Sequence, residues 1–208
     1  EIHRQYARAR LVEIIDPATS RVEPQCPQYT VCGGCQYQHM AYDQQLVVKH
    51  KQVCDLFERI GGQRPDRVRP VVACPTPYAY RNRIMVRTQF NRETRSMNVG
   101  YLRHQSRLVV DVESCPIAEP ELNERLQDVR KDPPRKNGIK FTLRAMPEDW
   151  ALPPDSFFQV NFHQLPQMIQ AVAERLHSAG VQHLIDAYCG VGFFSLSLAD
   201  KVQRFTGV

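Results

Sequence analysis

Apolar residues recur at helical spacing in two long segments of the chain, residues 40–60 and residues 163–179. One side of each segment is apolar and the other is polar, which is typical of a helix that packs one face against a core. The apolar positions are Leu46, Val53, Phe57 and Ile60 in the first segment, and Leu165, Met168, Ile169, Val172 and Leu176 in the second. Gly61-Gly62 and Gly180 follow these segments, and we expect both helices to end there. A shorter helix, which begins with a proline, is predicted near residues 120–130.

Alternation of apolar and polar residues predicts a sheet in the middle of the chain. Residues 84–90, 97–103 and 107–112 fit three antiparallel strands joined by short polar turns. Residues 139–144 alternate in the same way and fit a further strand.

Both ends of the chain contain incomplete patterns. Residues 6–15 alternate as one half-buried strand. Near the C-terminus, residues 184–188 predict a buried strand, residues 189–192 a glycine-rich turn, residues 193–199 a helix and residues 204–208 the next strand. This order opens a nucleotide-type α/β domain. Since one strand cannot bury itself and one βαβ unit is not a domain, we expect the sequence to be truncated at both ends.

Composition allows a packed globular fold and favours the cytoplasm. The 208 residues are enough for one large or two small domains, and 42% of them are hydrophobic. No run of about 18 apolar residues is present, so we expect no membrane span, and the polar start lacks the apolar centre of a signal peptide. Seven cysteines without a secretion signal favour a reducing compartment over a disulfide framework. The net charge of +5 makes a nucleic acid a reasonable partner, although an ordinary basic surface would give the same charge.

Three cysteines lie close together, at Cys26, Cys32 and Cys35, in the spacing C-x5-C-x2-C. The Gly33-Gly34 pair allows a tight turn in which two sulfurs face one centre. A fourth ligand must come from elsewhere, and Cys115 is the candidate. Four cysteines can bind an iron–sulfur cluster or zinc, and the remaining alternative is a set of structural or disulfide-bonded cysteines.

Arginine and tyrosine are dense around the predicted sheet. The arginines are Arg81, Arg83, Arg87, Arg92, Arg95, Arg103 and Arg107, and the tyrosines are Tyr78, Tyr80 and Tyr101. Guanidinium groups contact phosphates and tyrosine rings stack on bases, so this composition suits RNA binding, with Arg81, Arg83 and Arg87 as the leading candidates. The alternative is that these side chains form ordinary solvated strand faces.

A glycine-rich turn follows the last buried strand. Gly190-x-Gly192 allows a cofactor to approach the backbone closely, with a helix N-terminus beside it. Ser195 stands where a dinucleotide-binding motif has its third glycine, which disfavours NAD. Asp186 at the strand end could orient the loop. Cys189 in the turn and Cys54 on the first predicted helix are expected to be packing residues rather than reactive ones.

Together these segments resemble the iron–sulfur branch of the RNA (uracil-5-)methyltransferases, and they occur in the order found in that family. The cysteine spacing followed by Gln38-His39 is similar to the family's cluster loop, and Cys115 in its Cys-Pro-Ile context is similar to the fourth ligand. Three further segments are similar to family motifs: Tyr80-Arg81-Asn82-Arg83, Ser156-Phe157-Phe158-Gln159-Val160-Asn161 and Asp186-Ala187-Tyr188-Cys189-Gly190-Val191-Gly192. The last of these resembles the family's turn for S-adenosylmethionine. The matches extend from about Tyr6 to Val208.

The resemblance implies an α/β protein with an α+β N-terminal part. A β-rich iron–sulfur and central domain would be followed by the start of a Rossmann-like S-adenosylmethionine-dependent methyltransferase domain. Residues 1–22 would be the end of a TRAM-like RNA-binding β-barrel, and residues 23–162 the cluster and central RNA-binding domain. Residues 163–208 would be the incomplete beginning of the methyltransferase domain.

The resemblance also implies two cofactors. The residues that match the ligands of a 4Fe-4S cluster, which we expect to be structural, are Cys26, Cys32, Cys35 and Cys115. The residues that match the surroundings of S-adenosylmethionine are Gln159, Asp186, Tyr188, Gly190 and Gly192. Phe193 departs from the family, because many members have a polar residue there, and a cofactor contact by Phe193 is therefore not expected. The stretch before Phe157 is also short for the family.

The implied reaction is methylation of C5 of a uridine in RNA. In the family, a cysteine thiolate adds to C6 of the uracil, C5 takes the methyl group of S-adenosylmethionine, a carboxylate base removes the C5 proton, and the cysteine leaves. The target base must leave its stack to be reached. The family's nucleophile and base lie later than the position of Val208. We therefore expect no catalytic residue in this chain and no methyl transfer by it alone.

The resemblance also bears on the RNA partner. The cluster is more typical of the rRNA branch than of the bacterial tRNA branch, so rRNA is favoured over tRNA as the partner. We expect a cytoplasmic monomer without membrane association. The alternative is a non-catalytic, zinc-stabilised RNA-binding module, and a third interpretation is an iron–sulfur oxidoreductase with a nucleotide domain.

Overall fold

A computed structural model of the chain describes residues 1–9, 11–147, 150–153 and 156–208. In those residues the protein has a mixed α/β fold built on an antiparallel sheet. The helices are α1 (Tyr42–Arg59), α2 (Pro120–Lys131), α3 (Leu165–Ser178) and α4 (Phe193–Ser197). The strands are β1 (Arg83–Asn91), β2 (Ser96–Leu102), β3 (Val109–Asp111), β4 (Lys140–Arg144), β5 (His183–Asp186) and β6 (Arg204–Gly207). The predicted helices and central strands are confirmed, and none of the described helices is long and apolar enough to span a membrane.

The four central strands form one sheet in the order β3-β2-β1-β4, and all neighbouring strands are antiparallel. In its register, Arg87 of β1 lies opposite Gly100 of β2 and Lys140 of β4. Successive residues of a strand point to opposite faces. Ile84 and Val86 are buried and alternate with more accessible neighbours, so β1 separates a core face from an open face.

Helix α2 covers the core face of the sheet. Ile84, Val86 and Val99 form one buried cluster with Leu122 and Leu126 of α2. The two leucines are four residues apart, which places them on the same side of the helix. Burial of a leucine side chain contributes about 1.5–3 kcal/mol, so this contact fixes α2 on the sheet.

Strands β5 and β6 form a separate parallel pair, with Asp186 opposite Gly207, and the predicted βαβ unit is confirmed. Helix α4 packs through Phe193, which is only 7% exposed. The ring centroid of Phe193 lies 5.5 Å from that of Phe158 and 6.1 Å from that of Trp150. This aromatic cluster joins the βαβ unit to the segment that precedes α3.

The prediction of an N-terminal strand over residues 6–15 is wrong for residues 6–9 and 11–15, the part of this segment that the structure describes. An isolated bridge joins Ile2 to Ala7, and the described residues of the segment form no strand. Ile15 is 91% exposed, so no sheet covers its apolar side chain. A strand needs a partner for its backbone N–H and C=O groups, and alternation in the sequence cannot supply one.

Two predicted burial patterns also differ from the structure. The apolar stripe of α1 is not covered along its whole length, because Ile60 at its end is 81% exposed. Helical periodicity shows which face is apolar, but it does not show whether another element covers that face. Tyr188 was predicted to lie in a buried strand and is 98% exposed, because β5 ends at Asp186 and Tyr188 lies in the turn that follows.

Candidate functional site

The four predicted ligand cysteines line one cavity of about 240 Å³, which we call the cysteine cavity. Cys26, Cys32 and Cys35 come from the loop before α1, and Cys115 comes from the segment between β3 and α2. The fold thus places four cysteines from two distant parts of the sequence around one cavity, and their role as ligands stays a prediction.

The cysteine loop is docked on the end of strand β2. The Gly33 amide donates a hydrogen bond to the Leu102 carbonyl oxygen at 3.0 Å, and the His104 amide donates to the Val31 carbonyl oxygen at 2.9 Å. A Cβ atom at Gly33 would lie 3.2 Å from the Leu102 oxygen, closer than most such contacts. Glycine at this position therefore allows the loop to approach the strand.

Polar side chains that the sequence analysis did not single out for a role hold the cysteines in place. The Cys26 amide donates to Gln38 Oε1 at 3.1 Å, and Gln38 is buried. On the other side of the cavity, Asn123 of α2 accepts from the Cys115 amide at 2.8 Å and donates to the Cys115 carbonyl oxygen at 3.2 Å. Gln38 directly precedes His39 in a motif that carried the resemblance, but no signal in the sequence pointed to Asn123.

The cavity is unfavourable for free thiolates. Burial raises the pKa of the thiols of Cys26, Cys32 and Cys35, and the neighbouring sulfurs raise it further. Arg81 opposes this effect weakly at Cys35. A bound cation would stabilise the thiolates and reverse this balance, because opposite charge favours the ionised form. The donor set therefore suits a positively charged metal group.

The placement of the side chains does not by itself show a metal site. In the part of the chain that the structure describes, no three His, Cys, Asp or Glu side chains converge closely enough to hold a metal ion. The metal site therefore stays a prediction.

Tyr101 of β2 also lines the cysteine cavity. Its hydroxyl oxygen is buried and has no hydrogen-bond partner among the described residues. Burial, followed by the nearby Cys115 thiol, raises the pKa of Tyr101 above its ordinary value. The phenol is therefore a neutral donor near the Cys115 thiol, and no described residue lies in hydrogen-bond geometry to accept its proton.

The three predicted RNA-binding arginines do not share one surface. Arg83 and Arg87 lie on the open face of β1, where Lys140 of β4 is paired with Arg87. Arg81 precedes the strand, donates from Nε to the Arg83 carbonyl oxygen at 3.0 Å, and lines the cysteine cavity. The open face is therefore basic, and Arg81 belongs to a different environment.

A larger cleft of about 770 Å³ adjoins the cysteine cavity, and we call it the tyrosine cleft. Cys35, Gln38 and Arg81 line both spaces. The aromatic and cationic side chains along the cleft are Tyr37, Tyr42, Tyr78, Tyr80, Lys49 and Arg81. This mixture can stack on flat rings and neutralise phosphate charge.

Asp186 fixes the turn that is predicted to bind the cofactor, residues 187–192, against helix α4. Asp186 Oδ2 accepts hydrogen bonds from the Ser195 amide at 3.2 Å and from the Ser195 hydroxyl at 2.8 Å. Gly190 and Gly192 have φ angles of +55° and +78°, a left-handed conformation that glycine adopts without strain. Tyr188 also has a positive φ of +62° and projects into solvent. Three of the five predicted cofactor residues, Tyr188, Gly190 and Gly192, therefore lie in one turn, and Asp186 ends the strand before it.

The fifth, Gln159, comes from the segment before α3. Its carbonyl oxygen accepts a hydrogen bond from Asn82 Nδ2 at 2.8 Å, and its neighbour Phe158 packs on Phe193 at the start of α4. This contact brings the Gln159 segment beside the turn region. Phe193 itself is buried in the aromatic cluster, which explains a large apolar residue at that position.

No protein-family model matches the chain. It is 28% identical to a 23S rRNA (uracil(1939)-C(5))-methyltransferase RlmD of Vibrio parahaemolyticus, over 98% of this chain and 60% of that protein. It is 25% identical to an uncharacterized RNA methyltransferase of Thermosynechococcus vestitus, over 100% of this chain and 63% of that protein. A similar protein of Nostoc sp. is 24% identical, over 98% of this chain and 61% of that protein.

The chain thus spans about 60% of the length of the curated relatives that it matches. The first alignment runs over 263 positions, more than the 208 residues present here, so that relative contains segments that this chain lacks. The resemblance inferred from the motifs is confirmed: over nearly its whole length the chain is similar to RNA methyltransferases, among them 23S rRNA uracil-C5 enzymes.

Proposed function

We propose that this chain is part of an S-adenosylmethionine-dependent RNA methyltransferase that modifies C5 of a uridine, in rRNA rather than tRNA. The observation that carries the proposal is the convergence of Cys26, Cys32, Cys35 and Cys115 on one cavity beside basic and aromatic surfaces. Similarity to 23S rRNA uracil-C5 methyltransferases supports the reaction and the class of RNA.

The four cysteines would hold a 4Fe-4S cluster. Such a group, when bound, supplies a covalent tie between the loop before α1 and the segment after β3. Gln38 and Asn123 already orient the two backbones that it would join. Because the loop also contacts β2 through Gly33, the cluster would stabilise the basic sheet rather than take part in methyl transfer.

RNA would bind on two neighbouring surfaces. Arg83, Arg87 and Lys140 on the open face would contact phosphates, which positions the strand without reading its sequence. The tyrosine cleft, with Arg81 on its wall, would accept unstacked bases between aromatic rings. Both surfaces suit a single-stranded or locally opened RNA, as expected for an enzyme whose target base must leave its stack.

The turn after β5 would bind S-adenosylmethionine, which supplies an electrophilic methyl group when bound. Asp186 holds the turn closed on α4 through Ser195, and the glycines keep the backbone accessible. The exposed Tyr188 ring and the Gln159 segment would complete the surroundings of the cofactor. No residue of this chain matches the family's nucleophilic cysteine or base, so we expect it to bind ligands but not to methylate RNA alone.

Calorimetric titration with S-adenosylmethionine tests the cofactor part of the proposal. We expect binding by the chain and at least about tenfold weaker binding by Asp186→Ala, since two hydrogen bonds to a carboxylate are lost. Asp200→Ala is the matched control, because Asp200 is exposed and pairs with adjacent Lys201 on the surface. Equal affinity in all three proteins, or methyl incorporation into RNA by the chain itself, would contradict this part.

The domain organisation is also proposed from the similarity to RNA methyltransferases. Residues 1–22 would belong to a TRAM-like RNA-binding barrel, residues 23–162 to the cluster and central domain, and residues 163–208 to the methyltransferase domain. The protein would act as a cytoplasmic monomer. A zinc-stabilised RNA-binding module is the alternative, and metal analysis distinguishes the two.

A further inference from the structure

The hydroxyl group of Tyr101 is unpaired, and the proposed function assigns it no role. Of the buried side-chain nitrogen and oxygen atoms in the described residues, its hydroxyl oxygen is the one without a hydrogen-bond partner. Leaving a buried hydroxyl unpaired destabilises the fold, because the group loses its hydrogen bonds to water and gains none in exchange. A phenylalanine would fill the same space against the core cluster without that cost. The hydroxyl therefore points to a partner that the described residues do not supply.

The surroundings of the hydroxyl indicate the chemistry of that partner. Tyr101 lines the cysteine cavity together with Cys115 and the other three cysteines. Arg81 in the cavity has only donors and cannot accept the phenolic proton, and the amide and hydroxyl side chains that line it, Gln28, Gln38 and Ser114 among them, form no hydrogen bond with the Tyr101 hydroxyl. A tyrosine hydroxyl keeps its proton at neutral pH, so the missing partner must be an acceptor. Anionic sulfur is the acceptor that a cluster in this cavity would provide.

We propose that Tyr101 donates a hydrogen bond to a sulfur of the iron–sulfur group held by the cysteine cavity, on the side of Cys115. This inference rests on the proposed 4Fe-4S site. Hydrogen bonds to sulfur are one of the factors that set the reduction potential of such a cluster. A donor stabilises the more negative, reduced state more than the oxidised state, so Tyr101 raises the potential and slows loss of the cluster. Tyr101 is a positioning residue and takes no part in methyl transfer.

Removing the Tyr101 hydroxyl should have opposite effects on the cluster-free protein and on the protein loaded with its cluster. Tyr101→Phe removes only the hydroxyl and keeps the ring that packs beside the core cluster. In the cluster-free protein, the variant should be as stable as the wild type or more stable, because an unpaired buried hydroxyl is gone. In the loaded protein, the variant should bind its cluster less well, because a hydrogen bond is lost. A purely structural role for Tyr101 would not produce this reversal.

The experiment compares the 208-residue wild type, Tyr101→Phe and the control Tyr37→Phe, each loaded anaerobically with iron and sulfide. Tyr37 lines the tyrosine cleft and not the cysteine cavity, and its hydroxyl accepts a hydrogen bond from Gln52 at 2.8 Å. For each protein we measure the iron and sulfide content, the reduction potential by a mediated redox titration and the rate of bleaching in air. We also measure the melting temperature of the cluster-free form.

We expect Tyr101→Phe to show a more negative potential and about fivefold faster bleaching, the factor that one hydrogen bond supplies. Its cluster-free melting temperature should not fall, and Tyr37→Phe should match the wild type in potential and bleaching. A fully loaded Tyr101→Phe protein with unchanged potential would overturn the hydrogen bond while leaving the cluster intact. Failure of the wild type to take up iron and sulfide would overturn the cluster as well, and with it this inference.

Discussion

Individual polar side chains place the sulfurs of the cysteine cavity. Gln38 accepts from the amide of Cys26, and Asn123 forms two hydrogen bonds with the backbone of Cys115. Each of these contacts joins a cysteine segment to a residue of a neighbouring loop or helix. These hydrogen bonds fix the backbone at two of the four cysteines, one on each side of the cavity.

At this scale, the ligand assignment is tested by Cys32→Ser. We expect loss of most bound iron and a fall in melting temperature of more than about 5 °C, because metal binding adds to folding free energy and 1 kcal/mol corresponds to about 2–4 °C in a chain of this size. Cys54→Ser is the matched control, since Cys54 lies on α1 and contacts His50 and Pro65 outside the cavity. Metal analysis and thermal melting of both variants check the prediction. Normal iron content in Cys32→Ser would remove Cys32 from the ligand set.

The cysteines themselves could be found from the sequence, because their spacing and glycines restrict what they can do. The residues that orient them could not. Asn123 lies eight positions after Cys115, and only the packing of α2 on the sheet brings its amide to the Cys115 backbone. The unpaired hydroxyl of Tyr101 was equally invisible, because burial and the lack of a partner are properties of the folded structure.

At the scale of elements, one ion pair fastens the edge strand β3 to helix α2. Arg130 donates from Nη1 to Asp111 Oδ1 at 2.6 Å and from Nη2 to Asp111 Oδ2 at 3.0 Å. Arg130 also donates to the carbonyl oxygens of Val99 and Val112, each at 3.2 Å. The segment that carries Cys115 lies between these two elements, so the pair helps to position the fourth cysteine.

This pair should make stability depend on pH in the acid range. Burial alone raises the pKa of Asp111, but hydrogen bonds from Arg130 and from the Val99 amide outweigh burial and lower the pKa below its ordinary value. A lowered pKa in the folded state means that the stabilisation is present above the unfolded pKa of about 3.9 and is lost as the pH falls through the folded value.

Asp111→Asn is therefore expected to be less stable than the wild type by about 1 kcal/mol at pH 7, allowing for partial solvent screening. The difference should shrink as the pH falls below about 4, where the wild-type carboxylate takes up its proton. Asp128→Asn is the control, because Asp128 pairs with Lys131 on the exposed surface. Urea unfolding across pH 3 to 7 measures both. A constant difference across this range would mean that the charge of Asp111 contributes nothing.

The open face of the sheet makes a separate prediction about RNA. The double variant Arg83→Ala, Arg87→Ala should bind single-stranded RNA more weakly, and the salt dependence of log K should become shallower by about 1 to 2, as expected when two phosphate contacts are lost. Arg59→Ala, Arg64→Ala removes the same charge from α1 and the loop after it, and serves as the control. Binding titrations at several salt concentrations compare the wild type with both double variants. Identical slopes of log K against log salt concentration in all three proteins would exclude the open face as the RNA surface.

Elements with their own strong pattern were predictable, and elements that depend on a partner were not. The strands β1 and β2 alternate clearly and pair with each other through a short turn, so local sequence determines them. Residues 6–15 alternate as well, but the described residues offer no partner and no strand forms. The stripe on α1 shows the same limit, because periodicity identifies an apolar face without showing what covers it.

At the scale of the whole molecule, the cysteine cavity adjoins one surface proposed for RNA and contacts the sheet that carries the other. It adjoins the tyrosine cleft through Cys35, Gln38 and Arg81, and it contacts the sheet through the end of β2. The βαβ unit is attached at a different place, through the aromatic cluster around Phe193. Metal binding and S-adenosylmethionine binding should therefore be separable by mutation, and the metal centre decides between the enzyme and the alternative module.

The most direct test is anaerobic purification of the chain, followed by an absorbance spectrum and analysis of iron, sulfide and zinc. Our account predicts a brown protein with about four irons and four sulfides per chain, as expected for a cluster held by four cysteines. A colourless protein with one zinc per chain would contradict it and would favour a zinc-stabilised RNA-binding module instead.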